Sequence, residues 1–145
     1  MALTYLDASA LVKILLREPE ADVARLIWVT SARRSTSSIA YVEVRAALAA
    51  AARNARLSAD ALAQRRAELS RRWRQVSPVA PNDEVMRLAG NIAESTGLRA
   101  LDAIHLASAS LVADPRTLFV TWDRRLAAAA SALGMAVAPA HVLAP

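Results

Sequence analysis

At 145 residues and without a single cysteine, the chain is sized for one domain with a substantial core, and it can form neither disulfides nor thiolate zinc sites. The formal net charge is +5, and all but one of the 18 basic residues are arginine, Lys13 being the exception. A basic balance favours an anionic partner such as nucleic acid and argues against acidic-surface functions. Asp7 interrupts the first apolar run and no basic segment precedes it, so neither a signal peptide nor a membrane anchor is expected. The uncharged stretch 126–145 is broken by Gly134 and Pro139, which suits a helix and a short strand rather than a membrane span. The expectation is a cytoplasmic protein whose residues 1–145 form a single domain.

In chain order, a strand near 3–6 feeds a helix over about 8–16, and a second helix follows Pro19 over about 20–29. The segment "RRSTSS" predicts a short strand ending in capping serines, before a helix over about 39–53. Ser58 is placed to cap a helix reaching Trp73, and "RQVSPVAP" contains a short strand. Asn82 caps a helix that Gly97 ends in the left-handed conformation. A helix over about 99–112 stops before Pro115, and "TLFVTW" at 117–122 is the clearest strand, rich in β-branched and aromatic residues. Asp123 ends that strand, another helix follows, and "MAVAP" closes the pattern. Strands alternating with helices predict a parallel sheet between two helical layers, an α/β fold with the central helices as an insertion on that frame.

Nine of the 13 acidic residues have ordinary explanations in helix first turns, polar loops or arginine pairs: Glu18, Glu20, Asp22, Asp60, Glu68, Asp83, Glu84, Glu94 and Asp114. Four do not. Asp7, in "ALTYLDASALVKILL", and Asp123 each stand between an apolar strand and a helix. Helix capping explains that position, and so does a ligand site, because open α/β sheets bind ligands beyond the carboxyl ends of their strands. Glu43 shares a helical stripe with Ile39, Ala46, Ala47 and Ala50, where a solvated glutamate is out of place. Asp102 opens a helix that is apolar nearly all round, beside His105, Leu106 and Ala109. Close carboxylates disfavour one another's ionisation, and hard divalent cations with oxygen ligands relieve this. An acidic pocket on an otherwise basic chain suits a polyanion brought to a metal, which reads as a nuclease.

The runs "YLDASALVKILLREPE", "SSIAYVEVRAAL", "LRALDAIHLASA" and "FVTWDRRLAAAA" resemble the PIN-domain ribonucleases, and among them the VapC-type toxins of bacterial toxin–antitoxin pairs. The resemblance implies a three-layer PIN-like fold whose parallel sheet has the order 3-2-1-4-5, with Asp7 and Asp123 on neighbouring strands. It assigns Asp7, Glu43, Asp102 and Asp123 to the family's acidic quartet and Thr121 to its recurrent hydroxyl residue. It implies hydrolysis of RNA with Mg²⁺ or Mn²⁺, leaving a 5′-phosphate and a 3′-hydroxyl. Asp7, Asp102 and Asp123 would hold metal directly or through water. Glu43 would ligate or orient the attacking water, and one metal and two are equally compatible. His105 is read as a packing or supporting residue. The implied partners are RNA, a small VapB-like antitoxin and a second copy of the chain, as a homodimer that forms a heterotetramer or larger with antitoxin. Tyr41, Val44 and Leu48 supply the apolar stripe for that dimer.

Two other readings fit parts of the chain. A phosphoryl-transfer enzyme with an aspartate nucleophile also begins with Asp after a first strand, but its usual second Asp is here Ser9. A non-catalytic RNA-binding module would use "RRAELSRRWR" (65–74) with Trp73 as a stacking group, where an amphipathic helix with solvated arginines is the plainer explanation.

Overall fold

A computed structural model describes residues 2–145, so Met1, the first residue of the expected domain, lies outside the described residues. Strands β1 (Leu3–Leu6), β2 (Arg33–Ser37), β3 (Ser77–Val79), β4 (Leu118–Val120) and β5 (Ala136–Ala138) form one parallel sheet of order β3-β2-β1-β4-β5. This is the α/β architecture that the resemblance implied. Central β1 is buried along its whole length, as a parallel strand covered on both faces must be.

The helices are α1 (Ala8–Leu15), α2 (Ala21–Thr30), α3 (Ile39–Arg53), α4 (Ala59–Trp73), α5 (Asp83–Thr96), α6 (Ala100–Val112) and α7 (Arg124–Ala132), with a short 3₁₀ helix at Ala140–Leu143. Strand alternation divides the core in two. Tyr5 and Phe119 point to the layer of α5, α6 and α7 and pack with Leu106 and Leu126. Leu6 and Val120 point to the other layer and pack with Leu11, Ile14, Leu48 and Leu69. Among the described residues, no helix is long and apolar enough to cross a membrane.

The expected caps form at Ser58, which accepts from the Ala61 N–H at 3.1 Å, and at Asn82, which accepts from the Val85 N–H at 3.0 Å. Gly97 ends α5 at φ 71°. Of the serines before α3, Ser37 accepts from the Ile39 N–H at 3.4 Å, while Ser38 behaves differently. Ser38 makes no side-chain cap, and its N–H donates instead to the Val79 carbonyl at 2.9 Å, fastening the end of β2 to β3. Strand β4 is also shorter than "TLFVTW" suggested. The Trp122 N–H donates to the Ser9 hydroxyl at 2.9 Å instead of continuing a ladder, so the chain leaves the sheet at the site.

Helices α3 and α4 are not an insertion on the frame, because Leu48 and Leu69 are fully buried in the same cluster as Leu6 and Leu11. The stripe read as a dimer face is likewise interior: Val44 and Leu48 are wholly buried, and Tyr41 packs edge-on against Trp73 at 5.2 Å. Ala46, on the stripe assigned to Glu43, is exposed. Both sides of α3 are apolar because it is rich in alanine, and the large residues took the core. Leu48→Ala is therefore expected to cost about 2–5 kcal/mol by leaving a cavity. Val42→Ala, on the exposed side, should stay within about 0.5 kcal/mol of wild type in urea unfolding. Similar costs at the two positions would reverse this assignment of faces.

The segment 65–74 is amphipathic, with Arg66, Arg71 and Arg74 exposed and its other charged and aromatic side chains turned inward. Arg65 is buried, and Arg72 accompanies Glu68 at 2.8 Å while lying over the Trp28 ring at 5.0 Å. With Trp73 against Tyr41, this helix offers no free aromatic platform for bases.

Candidate active site

The loop from β1 to α1 is organised around the Asp7 side chain. Its backbone N–H donates to the Val120 carbonyl at 3.2 Å, so the residue still belongs to the β1–β4 seam. Its Oδ1 accepts from the Ala10 N–H at 3.0 Å, capping α1, and from the Ser9 hydroxyl at 2.6 Å. Its Oδ2 accepts from the Thr121 hydroxyl at 2.6 Å. Asp7 thus caps α1 and is at the same time tied to Thr121 at the end of β4. Burial pushes its carboxyl above the usual 3.8, opposed first by the electrostatic effect of His105 and then by the Ser9, Thr121 and Ala10 hydrogen bonds.

Thr121 joins this residue to the next acid. Fully buried, it donates to Asp7 and accepts from the Asp123 N–H at 3.0 Å. Asp123 then caps α7 through Oδ1, which accepts from the Arg125 and Leu126 N–H groups at 2.8 and 3.0 Å. Ser9 closes the loop from the other side, its hydroxyl meeting both Asp7 and the Trp122 N–H. Sequence reading passed over Ser9 as a supporting residue. Its signal was the Asp-x-Ser spacing at a helix start, which lets a hydroxyl reach back to the cap.

The other two acids come from the helices that cover this end of the sheet. Glu43, on the first turns of α3, meets the His105 Nε2 at 2.7 Å through Oε1. Asp102, in the first turn of α6, is half-buried. Its carboxyl is raised above 3.8 first by burial, then by the negative charges of Asp123 and Asp7, against a lowering by His105 and a further raising by Glu43. All four acids therefore act on Asp102 or are Asp102 itself. Glu20, one of the nine set aside, sits instead at the rim: it accepts from the Trp122 indole N–H at 3.3 Å and meets His141 at 3.0 Å.

Among the described residues, no three acidic or histidine side chains stand close enough to ligate one ion by themselves. The donor set is nevertheless all oxygen, and the upward push on Asp102 by its acidic neighbours is the repulsion that a hard cation relieves. Such a cation fits here with few protein ligands and water in the rest of its shell, as Mg²⁺ commonly binds. Two cavities of about 480 Å³ each lie away from the acids, around Arg33 and Arg34 and around Thr30 and Arg116. A depression of about 330 Å³ adjoins the acids, lined by Ser9, Lys13, Glu18, Trp122 and Asp123. An open crevice suits a polymer better than a closed pocket does.

Comparison with known proteins agrees with this geometry. The PIN domain family matches residues 4–132. Ribonuclease VapC45 and Ribonuclease VapC49, both of Mycobacterium tuberculosis, are each 44% identical over 142 residues, spanning 98% of this chain and 99% of theirs. Ribonuclease VapC46 of the same organism is 39% identical over 137 residues, 94% of this chain and 97% of its own. A carboxylate crevice at the carboxyl ends of β1 and β4, in a sheet of this order, together with near full-length likeness, places the chain in the PIN-domain family, among its VapC ribonucleases.

Proposed function

We infer that the chain is a ribonuclease acting as the toxin of a toxin–antitoxin pair, and that its acid crevice works with Mg²⁺ or Mn²⁺. The observation that carries the reading is the 44% identity to VapC ribonucleases over nearly the whole chain, which here comes with all four acids around one end of the sheet. A bound divalent cation would supply a water of lowered pKa and neutralise charge at the phosphorus. Asp7, Asp102 and Asp123 would hold the cation directly or through water, and Glu43 would ligate it or orient the water. Thr121 and Ser9 hold Asp7 in one rotamer by two bonds of 2.6 Å. The net charge of +5 draws the RNA backbone to the crevice.

The partners follow from the same reading: RNA, a small antitoxin whose C-terminal segment covers the acids, and a second copy of the chain. That second copy docks elsewhere than on the stripe of Tyr41, Val44 and Leu48, since Val44 and Leu48 are interior and Tyr41 is half-buried against Trp73. Expression of the chain alone in a bacterial host is expected to arrest growth and leave RNA fragments ending in a 5′-phosphate. Asp102→Asn should abolish both effects at equal protein level. Unimpeded growth with intact, soluble wild-type protein would remove the toxin role.

A further inference from the structure

Histidine 105 is the one buried imidazole of the molecule, and the reaction described above gives it no task. It is 1% exposed, on the inner face of α6. Its two ring nitrogens are both engaged. The Tyr5 hydroxyl lies 3.0 Å from Nδ1, and the Glu43 Oε1 lies 2.7 Å from Nε2. The three residues come from β1, α6 and α3, and the bonded pairs are 100 and 62 positions apart in sequence.

The ends of this chain fix its polarity. A carboxylate oxygen only accepts, so Nε2 must carry the proton that reaches Glu43. In the neutral ring Nδ1 is then an acceptor, and the Tyr5 O–H donates to it. Tyr5 is itself wholly buried and stacked on Phe119 at 5.4 Å with an 11° tilt. It also precedes Asp7 by two residues on the same strand, so one rigid element sets both Asp7 and the far end of the chain to Glu43. Among the described residues Glu43 has no holding partner besides His105, since the Arg45 side chain turns to the Tyr41 hydroxyl at 3.1 Å.

We propose that Tyr5 and His105 are positioning residues that lock the Glu43 carboxylate toward the crevice, by a Tyr5 O–H to Nδ1, Nε2–H to Oε1 chain. The proposal rests on the ribonuclease reading for its kinetic consequence and on geometry alone for its tautomer. Glu43 keeps Oε2 for the site while Oε1 is held from behind. Partners of this kind, one bond removed from a reacting or ligating carboxylate, typically contribute 10- to 100-fold to activity or metal affinity.

Two measurements test it on the full chain. With only two histidines, side-chain ¹⁵N spectra of the metal-free protein at alkaline pH separate His105 from exposed His141. His105 is expected as the Nε2–H tautomer, with a slowly exchanging Nε2 proton that disappears in Glu43→Ala. An Nδ1–H tautomer would overturn the proposal whatever the enzyme does. In steady-state RNA cleavage, His105→Phe should lower kcat about 10- to 100-fold with little change in KM. His105→Gln, whose amide can donate from nearly the same place, should recover most of that loss, and Tyr5→Phe should fall between. In a Glu43→Gln background, His105→Phe should add little, because its route of action is already cut. Wild-type kcat in a folded His105→Phe, or full additivity with Glu43→Gln, would refute the positioning role. Absence of cleavage by wild type itself would instead count against the ribonuclease reading, and the tautomer measurement would still decide the chain of hydrogen bonds.

Discussion

Asp7→Asn is expected to reduce RNA cleavage by about a hundredfold or more, since residues one bond behind a metal ligand already contribute about 10- to 100-fold. The same substitution should raise the melting temperature of the chelated protein. Asn caps helices about as well as Asp, so the Ala10 and Ser9 bonds to Oδ1 survive. The new amide faces Thr121, whose hydroxyl can turn to accept. What disappears is a buried charge beside Asp102 and Asp123. At this chain length each ~1 kcal/mol relieved corresponds to a few degrees.

The pH dependence has a definite sign. Burial raises the folded-state pKa of Asp7 above the ordinary 3.8, so the protonated form is the one the fold favours. Its stabilising contribution is complete below 3.8 and is lost as pH rises through the raised value. Asn does not titrate. The melting-temperature gap between variant and wild type, measured in EDTA, should therefore open as pH climbs from below 3.8 toward neutrality. A gap of the same size at every pH would show that Asp7 is not charged at a cost in the fold.

Removal of divalent metal is expected to abolish cleavage by wild type, with recovery on adding Mn²⁺ or Mg²⁺. Among the described residues neither histidine is free to serve as the general base: His105 is buried with both nitrogens engaged, and His141 is held by Glu20 at the rim. Added metal should also stabilise wild type, by about 2.7 kcal/mol at a hundred times its dissociation constant. It should stabilise Asp7→Asn much less. Undiminished cleavage in excess chelator, by protein freed of contaminating nuclease, would end the metal-dependent reading. Equal metal-induced shifts in the two proteins would leave Asp7 as a cap alone.

Much of this was legible along the chain because it depends on neighbours in sequence. Apolar runs ending in Asp7 and Asp123 mark strand-to-helix junctions, and such junctions need an acceptor for free N–H groups. Ser58, Asn82 and Gly97 mark helix ends for the same local reason. Unpaired acids in apolar settings stood out because an isolated buried charge is too costly to be incidental. The orientation of α3 was not legible. Its alanines make both sides apolar, so periodicity could not tell the buried Val44 and Leu48 from the side that carries Glu43 and the exposed Val42. That choice was made by packing volume against Leu11 and Leu69, residues far away in the chain. The bonds from Ser9 to Trp122, Thr121 to Asp7 and Tyr5 through His105 to Glu43 span 62 to 114 residues. Hydrogen bonds at such separations leave no period or spacing in a sequence, and they exist only because the parallel sheet sets β1 beside β4 and lays α3 and α6 over their ends.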